Sequence, residues 1–82
     1  MKKTELSAFI KMAIGEIMAT NPETILETDS FHSLGLDSYS CIVVLDKIEA
    51  HYKLELNPVL FWDYPTVGAF TDYLFDHYCN AN

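Results

Sequence analysis

Leu34-Gly35-Leu36-Asp37-Ser38-Tyr39 is the stretch on which the fold of this chain turns. After Ser38, the apolar residues Cys41, Val44, Leu45, Ile48 and Tyr52 recur with the period of one helix face, which predicts a helix from Ser38 to Tyr52 or Lys53. Asp37 is suited to cap it, because a carboxylate there accepts from first-turn N–H groups that have no partner within the helix. Leu36 and Cys41 occupy the two positions of a hydrophobic staple across the cap. Gly35 permits the chain reversal into the cap. Ser38 then falls in the first helical turn with its hydroxyl free. A phosphate on that oxygen would sit beside the positive end of the helix dipole, favourable by roughly 0.3–1 kcal/mol at an exposed site.

Two strings extend the reading. Phe31-x-x-Leu34-Gly35-Leu36-Asp37-Ser38 resembles the phosphopantetheine attachment segment of acyl carrier proteins. Phe61-Trp62-Asp63-Tyr64-Pro65-Thr66-Val67 is similar to the Leu-Phe-Asp-x-Pro-Thr sequence before the last helix of polyketide-synthase carrier domains, with Phe61-Trp62 in place of Leu-Phe. The two strings lie at family-like separation, and the resemblance covers essentially the whole chain. It implies an all-α antiparallel bundle of three main helices and one short helix, with residues 1–82 as a single carrier domain. It implies a covalent 4'-phosphopantetheine arm on Ser38, taken from coenzyme A and carrying acyl groups as thioesters. A phosphopantetheinyl transferase would load it, and an acyltransferase, ketosynthase or other synthase enzyme would meet it on the helix after the serine. The protein itself would be a non-catalytic monomer.

Composition agrees with a single small domain. Half of the 82 residues are apolar, with five Phe, five Tyr and one Trp, enough for a core without staples. Such a chain buries only about 60–65% of its unfolded surface. Twelve acids against five bases give a net charge of −7, which argues against nucleic acid and fits either basic protein surfaces as partners or an acidity that only maintains solubility. Cys41 and Cys79 make neither a disulfide framework nor a metal-ligand spacing, and read as reduced thiols. No leader with a cleavage site follows Met1 and no apolar run nears the ~20 residues that span a bilayer, so a cytoplasmic protein without a membrane segment is expected. The terminal Cys79-Asn80-Ala81-Asn82 is not a prenylation box.

Along the chain, Thr4 is placed to cap a first helix whose apolar face is Leu6, Phe9, Ile10, Ala13, Ile14 and Ile17, reaching about Met18 before Asn21-Pro22. Gly15 within it costs about 1 kcal/mol relative to alanine and is expected to ease close packing. Lys3, Lys11 and Glu16 read as solvated surface. Residues 19–37 have no sustained period, but Ile25, Leu26, Phe31 and Leu34 should pin an ordered connection, in which Thr24 and Glu27 are spaced to open a short turn. The stretch from Asp29 to Ser40 lacks the glycine offset and the twelfth-position acid of a calcium loop.

On the second helix Tyr39, Val43, Asp46, Lys47 and Ala50 should face outward, with Ile42 and Glu49 at the edge. Asp37, Tyr39, Ile42, Val43 and Asp46 are thereby expected to form the docking patch around Ser38. Leu54-Glu55-Leu56 reads as a connector that plugs two leucines into the core, and Asn57-Pro58 as the start of a short helix through Trp62, with Phe61 and Trp62 in the core or, as the alternative, one of them exposed for partner contact. Thr66 caps a last helix carrying Val67, Phe70, Tyr73, Leu74, His77 and Tyr78 on its inner face.

A hydrolytic serine is disfavoured. His51 lies thirteen residues beyond Ser38, roughly 20 Å along the same helix, and nothing supplies an orienting group or oxyanion hole. The three histidines lack metal spacing. Beside the polyketide carrier stand a fatty-acid carrier, a peptidyl carrier, and an unmodified helical interaction domain. Leu36-Asp37-Ser38 departs from the Gly-Gly-His-Ser usual in peptidyl carriers. Pro65-Thr66 and the non-acidic Val43 and Ala50 favour the polyketide over the fatty-acid version.

Overall fold

The computed structural model describes residues 2–79, and its first two helices lie where the periodicity puts them. The Cys79 thiol, read from sequence as reduced, and residues 80–82 lie outside the described residues. Four α-helices follow in order: α1 at Lys3–Met18, α2 at Ser38–Tyr52, α3 at Leu60–Asp63 and α4 at Val67–Leu74. A 3₁₀ turn occupies Pro22–Thr24, and a π-helical turn, Phe75–Cys79, continues α4. Glu16 of α1 pairs with Lys47 of α2, while Phe9 packs on His51 and Tyr52, so the two helices run antiparallel. Lys3 at the start of α1 meets Asp72 near the end of α4. This is the antiparallel bundle of three main helices and one short helix that the sequence implied.

α1 starts before Thr4. The Glu5 carboxylate accepts the Lys2 backbone N–H at 3.0 Å, satisfying a donor that Thr4 would have left open. The helix ends when Ala19 turns left-handed (φ 55°) and the Thr20 N–H reaches back to the Gly15 carbonyl at 3.0 Å. Here Gly15 is required, since a Cβ would lie 2.6 Å from the Thr20 carbonyl oxygen and 2.9 Å from Pro22 Cγ.

The connection to α2 is ordered, with corrections to its expected pins. Ile25 and Phe31 are buried and Leu34 half-buried, but Leu26 is 59% exposed, because it follows the inward Ile25 on an extended chain and its N–H turns to Asp29. The short turn is capped by Asn21, whose side chain accepts from Glu23, and not by Thr24; Glu27 is engaged elsewhere. Three backbone bonds then sew the connection to the start of α4: Gly68 N–H to Glu27, Val67 N–H to Asp29, and Phe31 N–H to the Pro65 carbonyl. Lys3 and Glu16 are exposed, as a solvated surface requires, and pair across elements with Asp72 and Lys47, while the less exposed Lys11 pairs with Glu27.

The core joins Leu6, Ile10 and Ile14 of α1, Val44, Leu45 and Ile48 of α2, and Phe70 and Leu74 of α4. Phe31, Phe61 and Phe70 meet at its upper end, with centroids 4.7–5.3 Å apart in one stacked and two edge-on pairs. Each such pair is worth about 0.5–1.5 kcal/mol beyond its buried area. Of the connector leucines Leu56 is buried and Leu54 half-buried, and the Glu49 carboxylate holds the Leu56 N–H at 2.7 Å.

α3 begins at Leu60, later than Asn57-Pro58 implied. Asn57 takes the Val59 N–H on its side chain, and a tighter turn with bonds from Leu60 and Phe61 to Asn57 and Pro58 precedes the helix. His77 and Tyr78 are exposed rather than inward, since the π turn rotates them off the α4 stripe; His77 stacks on Tyr73 at 3.9 Å instead. Thr71 takes the inward place, 1% exposed.

Candidate functional site

Ser38 is the first residue of α2 and is exposed. Three local devices hold it there. Gly35 adopts φ 89°, a value that side chains strain to reach, and turns the chain. Leu36 and Cys41 are both buried, 6% exposed each, and anchor the two sides of the cap. The Asp37 side chain accepts from the Ser40 N–H at 2.8 Å. That bond from the Ser40 backbone, followed by the Ser40 hydroxyl, holds the Asp37 carboxyl below the usual carboxylate range. Among the described residues no side chain bonds to the Ser38 hydroxyl, which stands open to solvent at the positive end of a fifteen-residue helix.

Two grooves meet at this serine. One, of about 210 Å³, runs between α2 and α3 past Ile42, Pro58 and Val59; the other, of about 390 Å³, is walled by Ser30, Phe31, His32 and Pro65. Cys41, Phe61 and Trp62 border both. Larger grooves of about 520 and 550 Å³ lie on α1, away from the serine. Cys41 forms part of the floor, and its burial, then the nearby Asp37 charge, pushes its thiol above the ordinary range. This is a packed thiol.

Of the docking residues expected from sequence, Asp37 and Ile42 line these grooves with Ser38, and Tyr39, Val43 and Asp46 lie along α2. Tyr39 is 77% exposed, Ile42 38%, and Asp37 and Asp46 are exposed, but Val43 is half-buried. Of the two adjacent aromatics Phe61 is core and Trp62, 68% exposed, takes the alternative place at the surface; Val59, at 46%, is an exposed apolar residue that sequence reasoning missed. A one-turn helix has a single inward face, and Leu60 with Phe61 fills it. That signal was available, because neighbouring helical residues point about 100° apart and three in a row cannot all face inward. The apolar patch around Ser38 is therefore built from two helices, Tyr39 and Ile42 of α2 and Trp62 of α3 with Val59 before it.

His32 is exposed and lines a groove, yet among the described residues no hydrogen bond joins it to Ser38 or Asp37. His51 stacks on Phe9 at 4.2 Å near the far end of α2. Among the described residues no three His, Cys, Asp or Glu side chains gather as a metal site, and no helix is long and apolar enough to cross a membrane.

The phosphopantetheine attachment site family matches residues 8–74 of this chain. Polyketide synthase PksN of Bacillus subtilis is 32% identical over 74 residues, 90% of this chain. Polyketide synthase PksR of the same organism is 31% identical over 80 residues, 93% of this chain. The chain spans 1% and 3% of those two proteins' length. Among solved structures, a free-standing peptidyl carrier protein from Acinetobacter baumannii is similar with a TM-score of 0.84 and 41% identity, over 92% of this chain and 94% of that one. The HMG-ACPI domain of the CurA module from Lyngbya majuscula is similar with a TM-score of 0.82 and 28% identity, over 92% of this chain and 76% of that one.

Proposed function

Because the chain belongs to the phosphopantetheine-binding carrier domains of polyketide-synthase type, a family that carries covalent 4'-phosphopantetheine, we propose that Ser38 is the attachment residue and that the domain delivers acyl intermediates in polyketide synthesis. The observation that carries the reading is the exposed, unengaged Ser38 hydroxyl at the start of α2. The site fits the group. A phosphate on Ser38 would lie at the positive end of the α2 dipole, with the Asp37 carboxylate turned away into the Ser40 N–H. When bound, the arm supplies a swinging thiol; the chain's own residues supply a rigid turn, an open hydroxyl and a surface for partners.

The domain carries out no bond chemistry itself. A phosphopantetheinyl transferase activates the hydroxyl, and acyltransferase, ketosynthase or other synthase enzymes work on the tethered cargo. Tethering replaces bulk substrate by a high effective concentration at each partner. The patch of Tyr39 and Ile42, extended by Val59 and Trp62 and edged by Asp46 and Asp63, suits fast and reversible docking on basic surfaces.

Incubation with coenzyme A and a broad-range phosphopantetheinyl transferase tests the assignment by mass spectrometry. One phosphopantetheine adds to the wild type and none to Ser38→Ala. A folded wild type that stays unmodified defeats the reading and leaves a helical interaction domain. For docking, Tyr39→Ala and Asp46→Lys slow loading at limiting transferase with the helical circular dichroism intact; unchanged rates would remove that surface from the account.

A second reading, a peptidyl carrier, draws on the 41% identity to the Acinetobacter peptidyl carrier protein. Leu36-Asp37-Ser38 speaks for the acyl version. Offering the loaded domain to a malonyl-transferring acyltransferase and to an amino-acid-activating enzyme separates the two.

A further inference from the structure

The connection between α1 and α2 is fastened at one residue, Glu27, from two directions. Its carboxylate accepts from the Ser7 hydroxyl and from Lys11 Nζ at 2.8 Å, both on α1. Its backbone carbonyl accepts the Gly68 N–H at 2.8 Å, at the start of α4. Gly68 makes this approach possible, since a Cβ there would come within 3.0 Å of the Glu27 carbonyl oxygen. From Glu27 the seam continues through Val67 N–H to Asp29 at 2.9 Å and Phe31 N–H to Pro65 at 3.0 Å. It ends at the groove of Ser38, because Phe31 and Pro65 are two of that groove's walls and Trp62 is a third.

An exposed ion pair by itself contributes little. This one is shielded on one side: the Lys11 side chain is 22% exposed, and Ser7 is buried at 9%, which limits its hydroxyl's access to water. Losing the carboxylate charge therefore weakens two donors at once.

We propose that Glu27 is a positioning residue for Ser38: its charged contacts to α1 hold the loop wall of the serine's groove in register with α4, and without that charge the wall loosens while the bundle stays folded. The effect on loading rests on Ser38 being the attachment residue; the loosening itself does not. The charged groups on the Glu27 groove are Lys3 and Lys11 of α1 and Glu23 of the loop, and Lys3 is engaged by Asp72 of α4. Burial raises the Glu27 carboxyl, but the bonds from Lys11 and Ser7 and the Lys11 charge together outweigh it and hold the group below its ordinary value. The latch is thus fully closed above the ordinary carboxylate range and opens as pH falls through the lowered value.

Amide hydrogen exchange followed by NMR on the full chain tests this, with protection factors at Phe31, Val67 and Gly68 read against Ile14 and Ile48 of the core. Glu27→Gln at pH 7 lowers the three seam values about tenfold and leaves the two core values unchanged, as loss of one charge-assisted contact predicts. Wild type reaches the same loosened state only in acid, and Glu27→Gln shows no such acid step. Loading at pH 7 slows about threefold in Glu27→Gln through a raised KM with kcat kept, as expected where only docking geometry changes. Seam protection equal to wild type, a uniform fall that includes Ile14 and Ile48, or a loosened seam with unaltered loading each overturns the proposal. A wild type that accepts no phosphopantetheine removes the attachment assignment instead, and the exchange data still decide the latch.

Discussion

The Asp37 side chain reaches over Ser38 to accept the Ser40 backbone N–H at 2.8 Å, so the bond that starts α2 spans the proposed attachment residue. The folded state holds the Asp37 carboxyl below its unfolded value, chiefly through that N–H. Its contribution to stability is accordingly complete above the ordinary carboxylate range and disappears as pH falls through the lowered value. Asp37→Asn keeps an acceptor and removes the titration. Urea midpoints of wild type and Asp37→Asn should agree near pH 7, and the wild type should fall more steeply on acidification. Asp37→Ala, without an acceptor, should be the least stable of the three at neutral pH.

Gly15 reverses a general rule. Alanine is ordinarily the better helix residue by about 1 kcal/mol, but a Cβ at this position meets the Thr20 carbonyl oxygen at 2.6 Å. That oxygen belongs to the backbone and cannot swing aside. Gly15→Ala should destabilise by about 1–3 kcal/mol in equilibrium unfolding, in the range of overpacked cores.

Thr71 buries its hydroxyl oxygen without a hydrogen-bond partner among the described residues. Removing such an atom while keeping the shape relieves a desolvation cost, so Thr71→Val should stabilise by about 1 kcal/mol. For a domain of this size that is roughly 5 °C in Tm, measurable by thermal circular dichroism.

Phe61 and Trp62 are adjacent and opposite in role, at 4% and 68% exposure. Phe61→Ala should cost about 3–5 kcal/mol, since it removes one ring of the Phe31, Phe61 and Phe70 cluster. Trp62→Ala should stay within about 0.5 kcal/mol of wild type, yet slow loading by the transferase. The pair of denaturation curves and loading rates checks both halves.

What could be read without coordinates was local. The Asp37 and Thr66 caps, the left-over freedom of Ser38, the turn at Gly35 and the buried stripe of α2 all depend on residues within about one helical turn of one another, where propensity, capping and periodicity act. The two strings around Ser38 and Pro65 added the family for the same reason, because they record local geometry needed at each point.

The tertiary structure decided which of several apolar neighbours the bundle has room for, and which charges meet. Leu26 and Trp62 turned outward because Ile25, Leu60 and Phe61 had filled the inward positions, and Lys11 found Glu27 across sixteen residues of sequence. These outcomes depend on space and charge supplied by distant segments, so no window of neighbouring residues contains them; only the packed helices settle how α2 and α3 share the surface around Ser38.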